Sequence, residues 1–110
     1  MNIAGREIWP NHPPFCIAEL SCNHLGSLER ALKMIEVAKE CGADAVKSQC
    51  YEGSSLTIDC DREDFILKDG PWKERKLYDL YSEACTPFSW DPQIYDYARE
   101  LGIICFSSVF

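Results

Sequence analysis

Ile17-Ala18-Glu19-Leu20-Ser21-Cys22-Asn23-His24-Leu25-Gly26 is a short apolar run that carries one carboxylate and then breaks into a polar turn. The segment after that turn sets the architecture. Ser27 stands as a helix N-cap, and Leu28, Ala31, Leu32, Ile35 and Ala38 recur at three- and four-residue steps, with Glu29, Arg30, Lys33, Glu36 and Lys39 mostly on the other faces. Gly42 supplies the left-handed residue that ends such a helix, and Ala43-Asp44-Ala45-Val46 leads at once into a second strand finishing on Lys47, Ser48 and Gln49. A strand, a helix and a strand in that order make a βαβ unit, whose right-handed crossover sets the two strands parallel.

The rest of the chain extends this pattern. Pro13-Pro14 bars a preceding helix and favours an extended entry into a strand over Phe15 to Leu20. The stretch from Tyr51 to Trp72 is polar and rich in Asp, Gly and Ser, with two short alternating runs, Leu56-Thr57-Ile58 and Asp64-Phe65-Ile66-Leu67-Lys68; it reads as a small hairpin or an excursion over the mouth of the sheet. Leu77, Leu80, Tyr81 and Ala84 mark one helix, and Trp90, Ile94, Tyr97, Ala98 and Leu101 mark another, with Thr86-Pro87 between them and Gly102 closing the second. A third strand, Ile103-Ile104-Cys105-Phe106, delivers Ser107 and Ser108 at its carboxyl end.

Composition narrows the classes of function. The 110 residues are about the length of one small domain, and 46% apolar content with 12% aromatics suffices for one core. A formal charge of −7 with scattered Lys and Arg argues against a nucleic-acid surface, yet one lysine and a few backbone N–H groups still suffice to bind a small anion. No apolar run approaches the about 18 residues that span a bilayer, and Met1-Asn2-Ile3-Ala4-Gly5-Arg6-Glu7 is not a signal segment, so no membrane partner and a cytoplasmic location are expected. The seven cysteines include no C-x-x-C pair, which reads as reduced, structural thiols; Cys16 and Cys105 lie in apolar runs, as small hydrophobes. Only His24 near Cys22 offers even a weak pair of metal ligands, so no metal site is expected within the chain.

The functional signal is a coincidence of strand ends. Glu19 with Asn23 and His24, Lys47 with Gln49, and Ser107 with Ser108 all fall at the carboxyl edge of one parallel sheet, where α/β folds place their ligand sites. A lysine, an amide, two hydroxyls and a carboxylate suit a small phosphorylated or carboxylated metabolite. Glu19 is the leading catalytic candidate, because a carboxylate in an Ile-Ala-Glu-Leu strand is expensive to bury unless it is paired or catalytic. Pairing with Lys47 is compatible with that role. His24 either caps the following helix or touches a ligand.

Three ordered motifs, Phe15 to Ser27, Gly42 to Tyr51 and Leu101 to Phe110, together resemble the N-terminal part of the sialic acid synthase family. The segment from Gly70 to Trp90, with His12-Pro13-Pro14-Phe15, looks most like its pseudaminic acid synthase branch. The resemblance implies the first three β/α units of an incomplete TIM (β/α)8 barrel over residues 1–110, such a barrel needing about 250 residues. It implies condensation of phosphoenolpyruvate with an N-acetylated amino sugar, releasing phosphate and forming a nonulosonic acid. By motif, Glu19 lies beside the reacting carbon and water, Lys47 and Gln49 hold phosphoenolpyruvate and orient the sugar, Ser107 and Ser108 serve the phosphate, and Asn23 and His24 shape the mouth. A divalent manganese or magnesium ion assists in the family, but its two histidine ligands lie on later strands and are not among these residues; nor is the C-terminal antifreeze-like domain, which reaches into the partner's site in the family's homodimers. The chain taken alone is therefore expected to be a truncated, inactive portion. Ser48, Cys50, Leu25 and Val109 depart from the residues usual in the family. The competing readings are another phosphoenolpyruvate-dependent aldol-type synthase and a non-catalytic α/β binding module.

Overall fold

A computed structural model describes residues 1–108 and 110; the family departure at Val109 lies outside them. Three parallel strands, β3 (Ile17–Ser21), β4 (Ala45–Ser48) and β5 (Ile104–Ser107), form a sheet in the order β3-β4-β5. They are preceded by a two-stranded antiparallel hairpin of β1 (Asn2–Ile3) and β2 (Arg6–Glu7). Helix α1 (Leu28–Glu40) connects β3 to β4, and between β4 and β5 lie α2 (Gly53–Leu56), α3 (Leu77–Ala84) and α4 (Asp91–Leu101). Single 3-10 turns occupy Glu63–Phe65 and Phe88–Trp90.

The βαβ reading of the sequence holds, and the reasons are local. The Ser27 hydroxyl accepts the Arg30 N–H at 3.2 Å, capping α1. At the other end Gly42 adopts a φ of 86° while its N–H and that of Ala43 return to the carbonyls of Lys39 and Ala38, which satisfies carbonyls the helix leaves free. Gly102 ends α4 in the same way, and the Lys39 ammonium bonds the Gly102 carbonyl at 2.9 Å, tying the two helix ends together.

One face of the sheet packs on α1 and α4. Leu20, Ile35, Val46, Ile94, Ala98 and Ile103 form the core, with Ala38 at its edge. The opposite face is open: Ile17, Ile104 and Phe106 stay a third to a half exposed, and they share it with Glu19 and Lys47. This arrangement, helices on one side and an uncovered apolar surface on the other, is that of consecutive units of an α/β barrel seen from the lumen.

The structure adds one element, decides one open alternative and corrects one expectation. The hairpin of β1 and β2 carries no sequence signal because its strands are two residues long and its turn places Ala4 as well as Gly5 at positive φ, a role favouring Asn, Asp or Gly. Arg6 then anchors it, pairing with Asp44, donating to the carbonyls of Pro13 and Pro14, and lying over the Phe15 ring. Second, the runs at 56–58 and 64–68 do not pair with each other. Lys76 instead forms ion pairs with Asp59 and Asp61, and Ile66 bridges Lys76, so the segment folds as an excursion over the mouth. Third, Cys16 is exposed rather than packed as a small hydrophobe, its N–H held by the Asp44 carboxylate at 2.7 Å. All seven thiols are free.

Gly42→Ala tests the helix stop. No atom lies within 4 Å of a Cβ there, so the cost is backbone strain alone, about 1 kcal/mol, read as a lower midpoint in chemical denaturation. An unchanged midpoint contradicts this account of the turn.

Candidate active site at the strand ends

Parallel register places Glu19 directly opposite Lys47, and the Lys47 ammonium meets Glu19 Oε2 at 2.7 Å. The pairing then slips between Glu19 and Ser21, a bulge in which Ser21 takes a φ of 47°. Bulges re-aim side chains at strand ends, and here the consequence is specific: the Ser21 N–H turns back to donate to Glu19 Oε1 at 3.3 Å. Both carboxylate oxygens are thus engaged. The pair sits on the open sheet face, with the Glu19 side chain 40% and the Lys47 side chain 31% exposed, so pairing rather than deep burial accounts for a charged residue in this strand.

Beyond the bulge lies the mouth, a cavity of about 580 Å³ on which Ser21, Asn23 and Gln49 come together with Tyr51, Trp72 and Arg75. The Asn23 amide donates to the Leu20 carbonyl at 3.2 Å and closes the end of β3. Gln49 is held by its main chain, whose carbonyl accepts the Thr86 N–H, while its side-chain oxygen lies 3.8 Å from the Cys22 thiol. Tyr51 is buried against Tyr81 and its hydroxyl lies 3.4 Å from the same thiol; burial pushes the phenol well above its ordinary range, so it stays protonated.

Ser107 and Ser108 line a neighbouring cavity of about 300 Å³, with Tyr51 as the wall shared with the mouth. The Ser107 hydroxyl accepts the Cys50 N–H at 3.0 Å, and the Ser108 N–H donates to the Ser48 carbonyl, so both serines also fasten β5 to β4. Cys50 donates its S–H to Asp91 at 2.7 Å, and burial followed by this carboxylate pushes the thiol up to about 11. It is a thiol, not a nucleophile, at neutral pH.

His24 stands apart from the mouth. Its ring is buried edge-on to Trp90, Nδ1 accepts the Gly26 N–H at 3.1 Å, and Nε2 lies 3.0 Å from the Thr86 hydroxyl. An Nδ1 acceptor requires the proton on Nε2, which then donates to Thr86. Of the two roles open in the sequence, the ring takes the structural one: it locks the β3–α1 turn to the start of the α4 segment. The strand ends therefore bring Glu19 to Lys47 and Asn23 to Gln49, hold Ser107 and Ser108 next door, and leave His24 behind them.

Trp72, Arg75 and Tyr51 carry no sequence signal of a site role comparable to that of the strand ends. The Gly70-Pro71 turn is the one local cue for Trp72, but nothing local says that the turn folds back to the mouth. Among the described residues no group of three or more His, Cys, Asp and Glu side chains is disposed to hold a metal ion, so these residues do not fit one. No helix of the described residues is long and apolar enough to cross a membrane.

An ion pair and polar cavity at the carboxyl ends of parallel β/α units define a barrel-type α/β site. The crystal structure of spore coat polysaccharide biosynthesis protein SpsE from Bacillus subtilis superposes with a TM-score of 0.64 at 32% identity, covering 100% of this chain and 27% of that one. That of a sialic acid synthetase from Leptospira borgpetersenii gives a TM-score of 0.72 at 23% identity, covering 97% and 33%, a likeness of fold. Residues 34–110 match the NeuB family, and the chain is 58% identical over 96 residues to pseudaminic acid synthase of Campylobacter jejuni, across 87% of its own length and 28% of the relative's. The chain belongs to the NeuB family. It spans between about a quarter and a third of the length of these relatives.

His24 supplies a pH test. Burial lowers its pKa below the unfolded value of 6.5, so the unfolded chain binds more protons below that pH and stability falls as pH drops from 6.5 towards the folded value. Denaturation midpoints between pH 7.5 and 5 are expected to fall in the wild type and to flatten in His24→Gln; equal slopes contradict the assignment.

Proposed function

We propose that this chain carries part of the active site of a nonulosonic acid synthase, which joins phosphoenolpyruvate to an N-acetylated amino sugar and releases phosphate. The observation that carries the reading is the clamped Glu19–Lys47 pair at the head of a polar mouth, in a chain similar to pseudaminic acid synthases over most of its length. In the reaction the methylene carbon of phosphoenolpyruvate bonds to the sugar aldehyde carbon, water adds at the neighbouring carbon, and the phosphate departs.

Lys47 presents a compact positive charge for the carboxylate or phosphate of phosphoenolpyruvate, and the Gln49 amide orients the same ligand and the sugar. Glu19, fixed by Lys47 and by the Ser21 N–H, stabilises the positive charge that develops at the carbon attacked by water or moves its proton. Ser107 and Ser108 serve the phosphate, and Asn23 and His24 shape the mouth, Asn23 through the end of β3 and His24 through the turn it locks. A divalent manganese or magnesium ion would be held by ligands other than the described residues and would supply Lewis-acid assistance at the aldehyde. The same reading includes a cytoplasmic homodimer.

The test uses a synthase of full family length that carries these 110 residues. Glu19→Gln is expected to lower phosphate release by roughly 10²- to 10⁴-fold with the fold intact, the range of a lost acid–base group. Turnover equal to the unsubstituted enzyme rejects Glu19 as catalytic. Lys47→Met is expected to raise KM for phosphoenolpyruvate; a KM left unchanged removes Lys47 from the anion site.

A further inference from the structure

The mouth has a wall that the reaction chemistry does not use. It comes from the excursion between β4 and α4 and is built on a backbone conformation that side chains resist: Glu74 adopts a φ of 68°. Such residues cost free energy and persist only where the surroundings hold them. Here the Glu74 N–H donates to the Leu67 carbonyl at 2.8 Å, the Leu67 N–H donates to the Arg75 carbonyl at 3.0 Å, and the Arg75 N–H donates to the Trp72 carbonyl at 3.0 Å. The turn delivers Trp72 and Arg75 to the same cavity that holds Asn23 and Gln49.

The chemistry of this wall is that of a saccharide site. Trp72 is 54% exposed, a large aromatic surface left open to solvent while lining a cavity. Arg75 extends a guanidinium onto the cavity and is fixed there by Glu83 on α3, Nη2 to Oε2 at 2.5 Å. An indole face accepts the C–H face of a sugar ring, a fixed guanidinium donates in a planar fork to carbonyl and hydroxyl oxygens, and the amides of Asn23 and Gln49 take the rest. Leu80 and Ala84 add an apolar strip that suits the methyl of an acyl group. Ser21 connects the two ends of the arrangement, since it lines the cavity and its N–H holds Glu19. One end of the cavity thus borders the residue that holds Glu19, and the other is the Trp72–Arg75 turn.

We infer that the Trp72–Arg75 turn is the wall that takes the part of the N-acetylated amino sugar remote from its aldehyde, and that it determines which sugar is accepted. This rests on the reaction proposed above. Trp72 stacks on the ring, Arg75 bonds the oxygens of the distal substituent, and Glu83 is a positioning residue that acts through Arg75. Selectivity follows from the fork: with Glu83 holding Nη2, a sugar lacking the bonded oxygen leaves the remaining N–H groups without a ligand partner.

The experiment measures equilibrium binding and steady-state kinetics in a synthase of full family length carrying these residues. The probes are phosphoenolpyruvate, a hexose bearing one acetamido group and a hexose bearing two. Trp72→Ala and Arg75→Ala are expected to weaken binding and raise KM for the preferred sugar by about tenfold or more, as for loss of a charge-assisted hydrogen bond, with the constants for phosphoenolpyruvate within about twofold. Arg75→Ala is also expected to narrow the ratio between the two sugars, and Glu83→Gln to give a smaller shift in the same direction. Sugar affinity unchanged in both Trp72→Ala and Arg75→Ala overturns the inference, as does a parallel loss of affinity for phosphoenolpyruvate. If the unsubstituted enzyme binds phosphoenolpyruvate but neither sugar, this wall is not a sugar subsite while the anion site stands. If it binds none of the three, the proposed reaction falls and the inference falls with it.

Discussion

Parallel pairing of β3, β4 and β5 is the constraint on which the molecule depends, because it sets every strand's carboxyl end at one level whatever the length of the connection. Glu19 and Lys47 are 28 positions apart in the chain and meet because their strands run in the same direction in register. A shift of one residue would send Lys47 to the helix side and a core residue to the open face. The core enforces the register: Leu20 and Val46 are buried against α1 and α4 only in the observed alignment.

The helices serve the same end. α1 is capped by Ser27 and stopped at Gly42, and α4 is stopped at Gly102, so both deliver the chain to the amino end of the next strand. The Lys39 bond to Gly102 joins those two stops, while Arg6 and Asp44 fasten the amino-terminal hairpin to the same lower edge. The lower edge is thus fixed by bonds between elements. The upper edge is left to polar side chains and to the excursion that folds over them.

Residues whose roles depend on near neighbours were legible in the sequence. The spacing of Leu28, Ala31, Ile35 and Ala38 marks a helix, Gly42 and Gly102 mark helix stops, and the strand-end positions of Glu19, Lys47 and Gln49 follow from the βαβ order. Roles that depend on distant neighbours were not. His24 looks like a mouth residue until Thr86 and Trp90, more than sixty positions away, enclose it. Trp72 and Arg75 lie in a stretch without periodicity, where the strained turn at Glu74 decides where the side chains go. The separation of Ser107 and Ser108 from the cavity of Gln49 likewise depends on Tyr51, a core residue by burial that divides the two.

These contacts make the strand ends one anchored assembly in which Lys47 and Glu19 position each other before any ligand arrives. The most direct measurement is a crystal structure of a full-length synthase bearing these residues, soaked with phosphoenolpyruvate. The account predicts an anionic group of the ligand within hydrogen-bond distance of Lys47 Nζ, with the Glu19 carboxylate facing its reacting carbons. Phosphoenolpyruvate bound elsewhere, with the Glu19–Lys47 pair intact and untouched, would contradict it.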